Sequence, residues 1–306
     1  MGNAYCILLF MTARRVTYKQ WAGITIRGNT KWQASSVKKE NHLDKATWLT
    51  AAVEGGSMFG TVQGYDGCGM SAGLEHCIGL LPRSMEPGSL WGLLLKIDES
   101  LPETNPNWVA MKAAMDKVNW YLDTKGVLRN KVTGAAVGGQ EIRNVLSPAN
   151  GVVPETGPDF DKAVRWAELF NRLFEDSATF PCQIRETKNG LLKSHKDIEN
   201  QVYARYCKLE SASAAVLGTN ISAELDLAMC VYHSFSVNAP SKARSVLTEV
   251  LGRGLGSLDF SKALVKALGT NTYANWQDRY VRTRQQAHDS GLFDAGLFTS
   301  IAPSHF

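Results

Sequence analysis

Glu54, Asp66 and Ser71 are the residues whose types and spacing could do chemistry together. They fall within AAVEGGSMFGTVQGYDGCGMSAGLEH, residues 51–76. Two carboxylates in different environments are what glycoside hydrolysis needs. One donates a proton to the leaving oxygen, and the other stays ionised to activate water or to stabilise or capture the cationic sugar. Glu54 closes an apolar, helix-like run just before Gly55-Gly56. A carboxylate in a last helical turn faces the negative end of the helix dipole, so the sequence predicts a raised pKa there. Ser71 could hold a water, and Gln63 and Tyr65 could hydrogen-bond sugar hydroxyls. The intervening glycines would let backbone approach a polymeric substrate closely.

The order Glu54, Asp66, then SAGLEH with Ser71, Gly73 and His76 resembles the active-site signature of phage-type lysozymes. The resemblance covers about 25 residues, and its Glu-to-Asp spacing is longer than the compact phage pattern. It implies that Glu54 is the general acid, Asp66 the second carboxylate and Ser71 the water-positioning hydroxyl. Gly73 and His76 would be the structural residues of the hairpin. It further implies a lysozyme-like, mainly α (α+β) fold, with two helical lobes and a small β-hairpin at the cleft. The implied function is a peptidoglycan-degrading glycoside hydrolase, an endolysin that needs no cofactor and no metal. Such a protein would be made in the cytoplasm without a signal peptide and would act on the wall after release or from a virion. Lytic transglycosylases and chitosanases of the same superfamily are the alternative enzymes. A non-catalytic wall-binding or virion protein is the alternative of another class.

The elements that must position these groups can be sketched from pattern. NHLDKATWLTAAVEGG has apolar residues at near-helical spacing from Leu43 to Val53, with Asn41 as N-cap, Asp44 as a capping-box partner and Gly55-Gly56 as the stop. Residues 57–73 suit a small hairpin with tight turns, and a helix is expected to resume near Leu74. Residues 16–42 suggest short strands or loops. Further helices are expected near 106–122, 159–176, 195–217, 222–233, 240–252, 259–268 and 271–289. In the second of these, Phe160, Val164, Ala167, Leu169, Phe170 and Phe174 mark an apolar stripe. The Pro- and Gly-rich stretch 147–159 reads as a long loop or a boundary between lobes, and 134–141 reads as a loop. The whole chain is read as one catalytic domain, with the region around 100–230 enlarging the helical lobe.

Two further stretches could line a sugar cleft. Asn238 and Ser241 stand just ahead of a helix, where Ser241 also suits an N-cap. Trp276, Tyr280 and Thr283 share one helical face, and Arg279, Arg282 and Arg284 make that helix basic. Packing through the aromatics is the plain reading of that helix; a cleft wall with Arg279 contacting substrate carboxylates is the functional one. Gly291 is its expected stop.

Composition bounds the rest. At 306 residues with net charge +4, the chain is too weakly basic to argue for nucleic acid but suits an anionic polymer such as peptidoglycan. It is read as a monomer. The six cysteines form no C-x-x-C pair and are expected to be free, mostly buried thiols. YCILLFM, residues 5–11, reads as a buried strand, and no run approaches the length of a membrane span. The six histidines show no ligand-like clustering along the sequence. Phosphate-binding loops, dinucleotide fingerprints, zinc-ligand spacings and nucleophile elbows do not occur.

Overall fold

A computed structural model describes residues 14–18, 21–63, 70–74, 77–78, 89–146, 158–193, 196–208, 221–273 and 275–304. The fold is mainly helical with small antiparallel sheets, as the sequence pattern implies. It forms two compact units that interleave in sequence. Unit 1 takes the described residues up to Asn29, from Gly60 to Ile78, and from Ser89 to Thr179. Unit 2 takes Thr30–Phe59 and the chain from Phe180 onward.

Unit 1 is built on an antiparallel meander. Strands β1 (Arg14–Tyr18), β2 (Trp21–Ile26), β3 (Val62–Gln63), β4 (Ser71–Ala72) and β5 (Cys77–Ile78) lie in that order. Val62 pairs with Ala72 and Gln63 with Ser71, so the hairpin expected within 57–73 forms. No helix resumes near Leu74: Leu74 follows Gly73 (φ +85°) in a turn, and Cys77 and Ile78 pair back onto Ala72 and Ser71. The helices are α2 (Leu90–Asp98), α3 (Pro106–Lys117), α4 (Gly139–Leu146) and α5 (Pro158–Phe174). Asn105 caps α3, its Oδ1 accepting from the amides of Asn107 and Trp108 at 3.0 Å each, with Pro106 in the first turn. The helix expected over 106–122 stops early. Asn119 turns left-handed (φ +59°), and β6 (Trp120–Leu122) pairs with β7 (Leu128–Asn130) instead.

The core of unit 1 is aromatic. Trp91, Trp120, Phe170 and Phe174 are fully buried, and Trp166 nearly so. Their rings meet edge-on or tilted at centroid distances near 6 Å, the geometry aromatic quadrupoles favour. The indole Nε1 of Trp120 donates to Glu141 Oε1 at 2.8 Å. The stripe on α5 is rotated slightly from the expected one: Ala163, Trp166 and Leu173 join Ala167, Phe170 and Phe174 inside, and Val164 and Leu169 are half-buried. The end of α5 is hydrogen-bonded to Gly60 and Asn29, beside two of the places where the chain changes unit. Asn171 Nδ2 donates to Gly60 O at 2.6 Å, and Asn29 N donates to Glu175 Oε1 at 2.6 Å. A Cβ at Gly60 would overlap the Glu175 side chain, so glycine is required for that approach.

Unit 2 is helical: α1 (His42–Gly55), α6 (Phe180–Lys193), α7 (Lys196–Cys207), α8 (Ala223–Asn238), α9 (Pro240–Gly252), α10 (Ser257–Gly269), α11 (Trp276–Ser290) and the single turn α12 (Leu297–Ser300). Helix α8 is buried from Leu225 to Ser236 and packs against α1, α9, α10, α11 and α12. A helix buried all round must have small or apolar residues on every face, apart from polar groups that find partners. Helix α1 obeys the same rule, buried on nearly every face from His42 to Val53. Its N-cap is Asn41, whose side chain accepts from Asp44 N at 3.1 Å. The Asp44 carboxylate pairs with Lys188 at 2.5 Å rather than completing a capping box.

Three differences concern helix ends in unit 2. Helix α6 was not anticipated, because its buried face is partly polar: Gln183 and Thr187 lie inside with Cys182 and Leu191. The helix expected to run to 217 ends at Cys207, where Lys208 turns left-handed (φ +56°). Ser241 is not an N-cap: α9 begins at Pro240, and Ala239 holds the cap position without a side-chain bond. Proline suits the first helical position because its missing N–H leaves nothing unsatisfied there. Residues 5–11 and 147–157 lie outside the described residues. Among the described residues no helix is long and apolar enough to cross a membrane. Cys182, Cys207 and Cys230 are buried, and the Cys207 and Cys230 thiols are free.

Candidate functional site

Glu54 lies in the last turn of α1, ahead of Gly56, which adopts the left-handed conformation (φ +67°) and donates back to the carbonyls of Ala51 and Ala52. That cap fixes where the helix stops and so where the carboxylate points. Its partner comes from α11. Arg279 Nη2 donates to Glu54 Oε1. The same guanidinium donates to the Ser234 carbonyl of α8 through Nε at 2.9 Å and Nη2 at 2.5 Å. The Arg279 side chain is 5% exposed and that of Glu54 is 20% exposed, so the cation is sealed and the carboxylate is not. The basic-helix reading placed Arg279 toward substrate; it is instead buried, because it shares the inward face of Trp276, Tyr280 and Thr283. Asn238 and Trp276 also come together, Trp276 Nε1 donating to Asn238 Oδ1 at 3.2 Å, with the indole edge-on to Phe235 at 4.8 Å.

In unit 1, Gln63 and Ser71 face each other across the β3–β4 pair, Ser71 Oγ standing 3.5 Å from Gln63 O. Ser71 is buried, and Gly73 continues the turn with a positive φ. Tyr65, Asp66 and His76 lie outside the described residues. No protein-family model matches this chain, no curated protein matches it, and no solved structure matches it.

Unit 2 holds a second polar cluster that sequence reading missed. At the other end of α1, His42 Nδ1 lies 2.6 Å from Asp226 Oδ1 of α8, and His42 Nε2 lies 2.9 Å from the Tyr203 hydroxyl of α7. Lys45 Nζ, also on α1, donates to Asp226 Oδ2. Cys230 Sγ sits 3.7 Å from His42 Nδ1 and 3.6 Å from Asp226 Oδ1. The His42 and His233 rings are 6.1 Å apart, and His233 Nδ1 is 3.7 Å from Glu199 Oε1. All of these side chains are buried. Burial alone would raise the Asp226 carboxyl, but the hydrogen bonds and charges of His42 and Lys45 outweigh it and hold it below the ordinary carboxylate value. Burial pushes Glu199 well above its ordinary value, and burial, with Asp226 adding to it, does the same for the Cys230 thiol. The signal for this cluster was the polar residues His42, Lys45, Asp226 and His233 on two otherwise apolar helices. Nothing in a linear pattern says that they face one another.

The two clusters can do different things. The Glu54 end offers a carboxylate with solvent access and a fixed cationic neighbour, a group able to exchange protons with a substrate. The His42 end offers three unlike donor atoms turned inward and shut away from water.

Proposed function

We propose that this protein is a peptidoglycan-cleaving glycoside hydrolase of lysozyme-like architecture, with Glu54 as its general acid. One observation carries the reading. Glu54 is the partly open carboxylate at the end of an otherwise buried helix. Support also comes from the chain order, since an antiparallel hairpin bearing Gln63 and Ser71 follows that helix directly. Net charge +4 suits an anionic wall polymer.

In this reading Glu54 delivers a proton through Oε2, the oxygen that Arg279 does not hold. That proton passes to the bridging oxygen as the bond from the anomeric carbon to that oxygen breaks. A water adds to the anomeric carbon and gives up a proton in turn. Asp66 keeps the role of second carboxylate and Ser71 that of the water-positioning hydroxyl, as the resemblance implies. Tyr65, His76 and Asn238 are proposed around the glycan rather than in the bond-breaking step; Trp276, expected there from the sequence, is fully buried and holds Asn238 from behind.

The test is lysis of permeabilised Gram-negative cells together with release of sugar reducing ends from purified peptidoglycan. Glu54→Gln is expected to lower the rate of the folded protein by at least about a hundredfold, the usual scale of a general acid. A parent protein that binds sacculi but never releases sugar ends would sink the proposal and leave a binding module. Product mass separates water addition from anhydro-sugar formation. An active Asp66→Asn variant would point to the transglycosylase, which needs a single acid.

A further inference from the structure

We propose that His42 Nδ1, Asp226 Oδ1 and Cys230 Sγ form the ligand set of one structural transition-metal dication of the zinc class. The proposal rests on unit 2 alone and is independent of the glycosidase reading.

The donor set is the first reason. Imidazole nitrogen, carboxylate oxygen and thiol sulfur converge from the start of α1 and from two positions four residues apart on α8, all three side chains buried. Mixed N, O and S donors are the set that a borderline cation takes, and a closed pocket is the form structural sites take. Distances are the second reason. Tetrahedral ligands at ordinary zinc bond lengths stand about 3.3–3.6 Å apart. The two sulfur legs measure 3.7 Å and 3.6 Å. The His42–Asp226 leg is a 2.6 Å hydrogen bond and would open by about 0.7 Å to admit the ion.

The outer atoms supply the third reason. His42 Nε2 is tied to the Tyr203 hydroxyl and Asp226 Oδ2 to Lys45 Nζ. Metal-bound histidines and carboxylates are oriented by such partners, which leave the inner atoms free to ligate. Binding would release the Cys230 thiol proton as the sulfur–metal bond forms. His42 ligates through a deprotonated Nδ1, any proton there being released as the nitrogen–metal bond forms, while Nε2–H donates to Tyr203 Oη. No electron is transferred. Because the pocket is sealed, the ion enters as the helices assemble.

The experiment uses the full chain in two arms. Protein purified without chelator is analysed for metal, with close to one zinc per chain expected. A second sample is stripped in denaturant with chelator and refolded with cobalt(II). One equivalent should bind and produce visible d–d bands and a near-ultraviolet thiolate-to-cobalt band. Cys230→Ser should remove the thiolate band, and Cys207→Ser, a buried thiol outside the cluster, should keep it. Tyr203→Phe should weaken affinity about tenfold or more. A chain that carries no metal as purified, or a thiolate band that survives Cys230→Ser, would overturn the assignment. The metal content as purified decides even where a variant fails to refold.

Discussion

The two ends of helix α1 pose the same physical problem and resolve it differently. At the first end, His42 and Lys45 are enclosed with Asp226, Tyr203 and Cys230, and the charged groups have neutralising partners inside the protein. At the last, Glu54 is bound to a sealed arginine yet keeps a fifth of its side chain open. Buried charges persist only with partners, because desolvation costs several kcal/mol per ion. The sealed end thus reads as part of assembly. The half-open end keeps contact with whatever approaches from solvent, which chemistry requires. One helix joins the two, so the core that fixes one end also sets the direction of the other.

That contrast can be broken by substitution. The largest effect is expected at Glu54, where Glu54→Gln should cost at least about a hundredfold in sugar release and about 1–3 kcal/mol in stability, because the sealed Arg279 keeps only a neutral partner. At the sealed end the pattern should invert. Asp226→Ala leaves His42 and Lys45 buried without their carboxylate and should cost about 3–5 kcal/mol in denaturant titrations. If the folded fraction of that variant lost activity as fully as the Glu54 variant, the two ends would not be separable in function. Arg279→Met should lie between, costing about 1–3 kcal/mol because it strands a partly buried carboxylate and a backbone carbonyl.

The pH dependence sharpens the same contrast. Asp226 has a lowered folded-state pKa, so its contribution is present above the unfolded carboxylate value of about 3.9 and is lost as pH falls through the folded value. Asp226→Asn should flatten that acid limb. Glu199 behaves oppositely. Its folded pKa is raised, so stability is greatest below about pH 4.3 and declines as pH climbs toward the folded value. Glu199→Gln should remove that decline and raise the melting temperature at neutral relative to acidic pH; an unchanged slope would show that Glu199 does not set it. The smallest effect belongs to the exposed Glu249–Arg253 pair on α9, where Glu249→Ala should change stability by about 0.3–0.5 kcal/mol.

Much of unit 2 was legible in the sequence and less of unit 1. The limits of α1 follow from Asn41 and Gly56, and the buried face of α11 follows from Trp276, Tyr280 and Thr283. Both are local signals. Strands of two or three residues leave no such signal: β6 was taken for the end of a helix because Trp120–Leu122 is too short to show an alternation. Helix α6 was missed for the converse reason, its partners outside the helix mattering more than its own period. Within the candidate site, the position of Glu54 at a helix end was readable, whereas its pairing with Arg279 was not.

What the sequence determined by itself are the features that rest on hydrogen bonds between near neighbours: caps, stops, the β3–β4 turn back and the amphipathic faces. What only the tertiary structure decided are the pairings Glu54–Arg279 and His42–Asp226, which span 225 and 184 positions along the chain. A periodic pattern tells which face of a helix turns inward. It does not tell which other face it will meet, because that is settled by how all the side chains pack together at once.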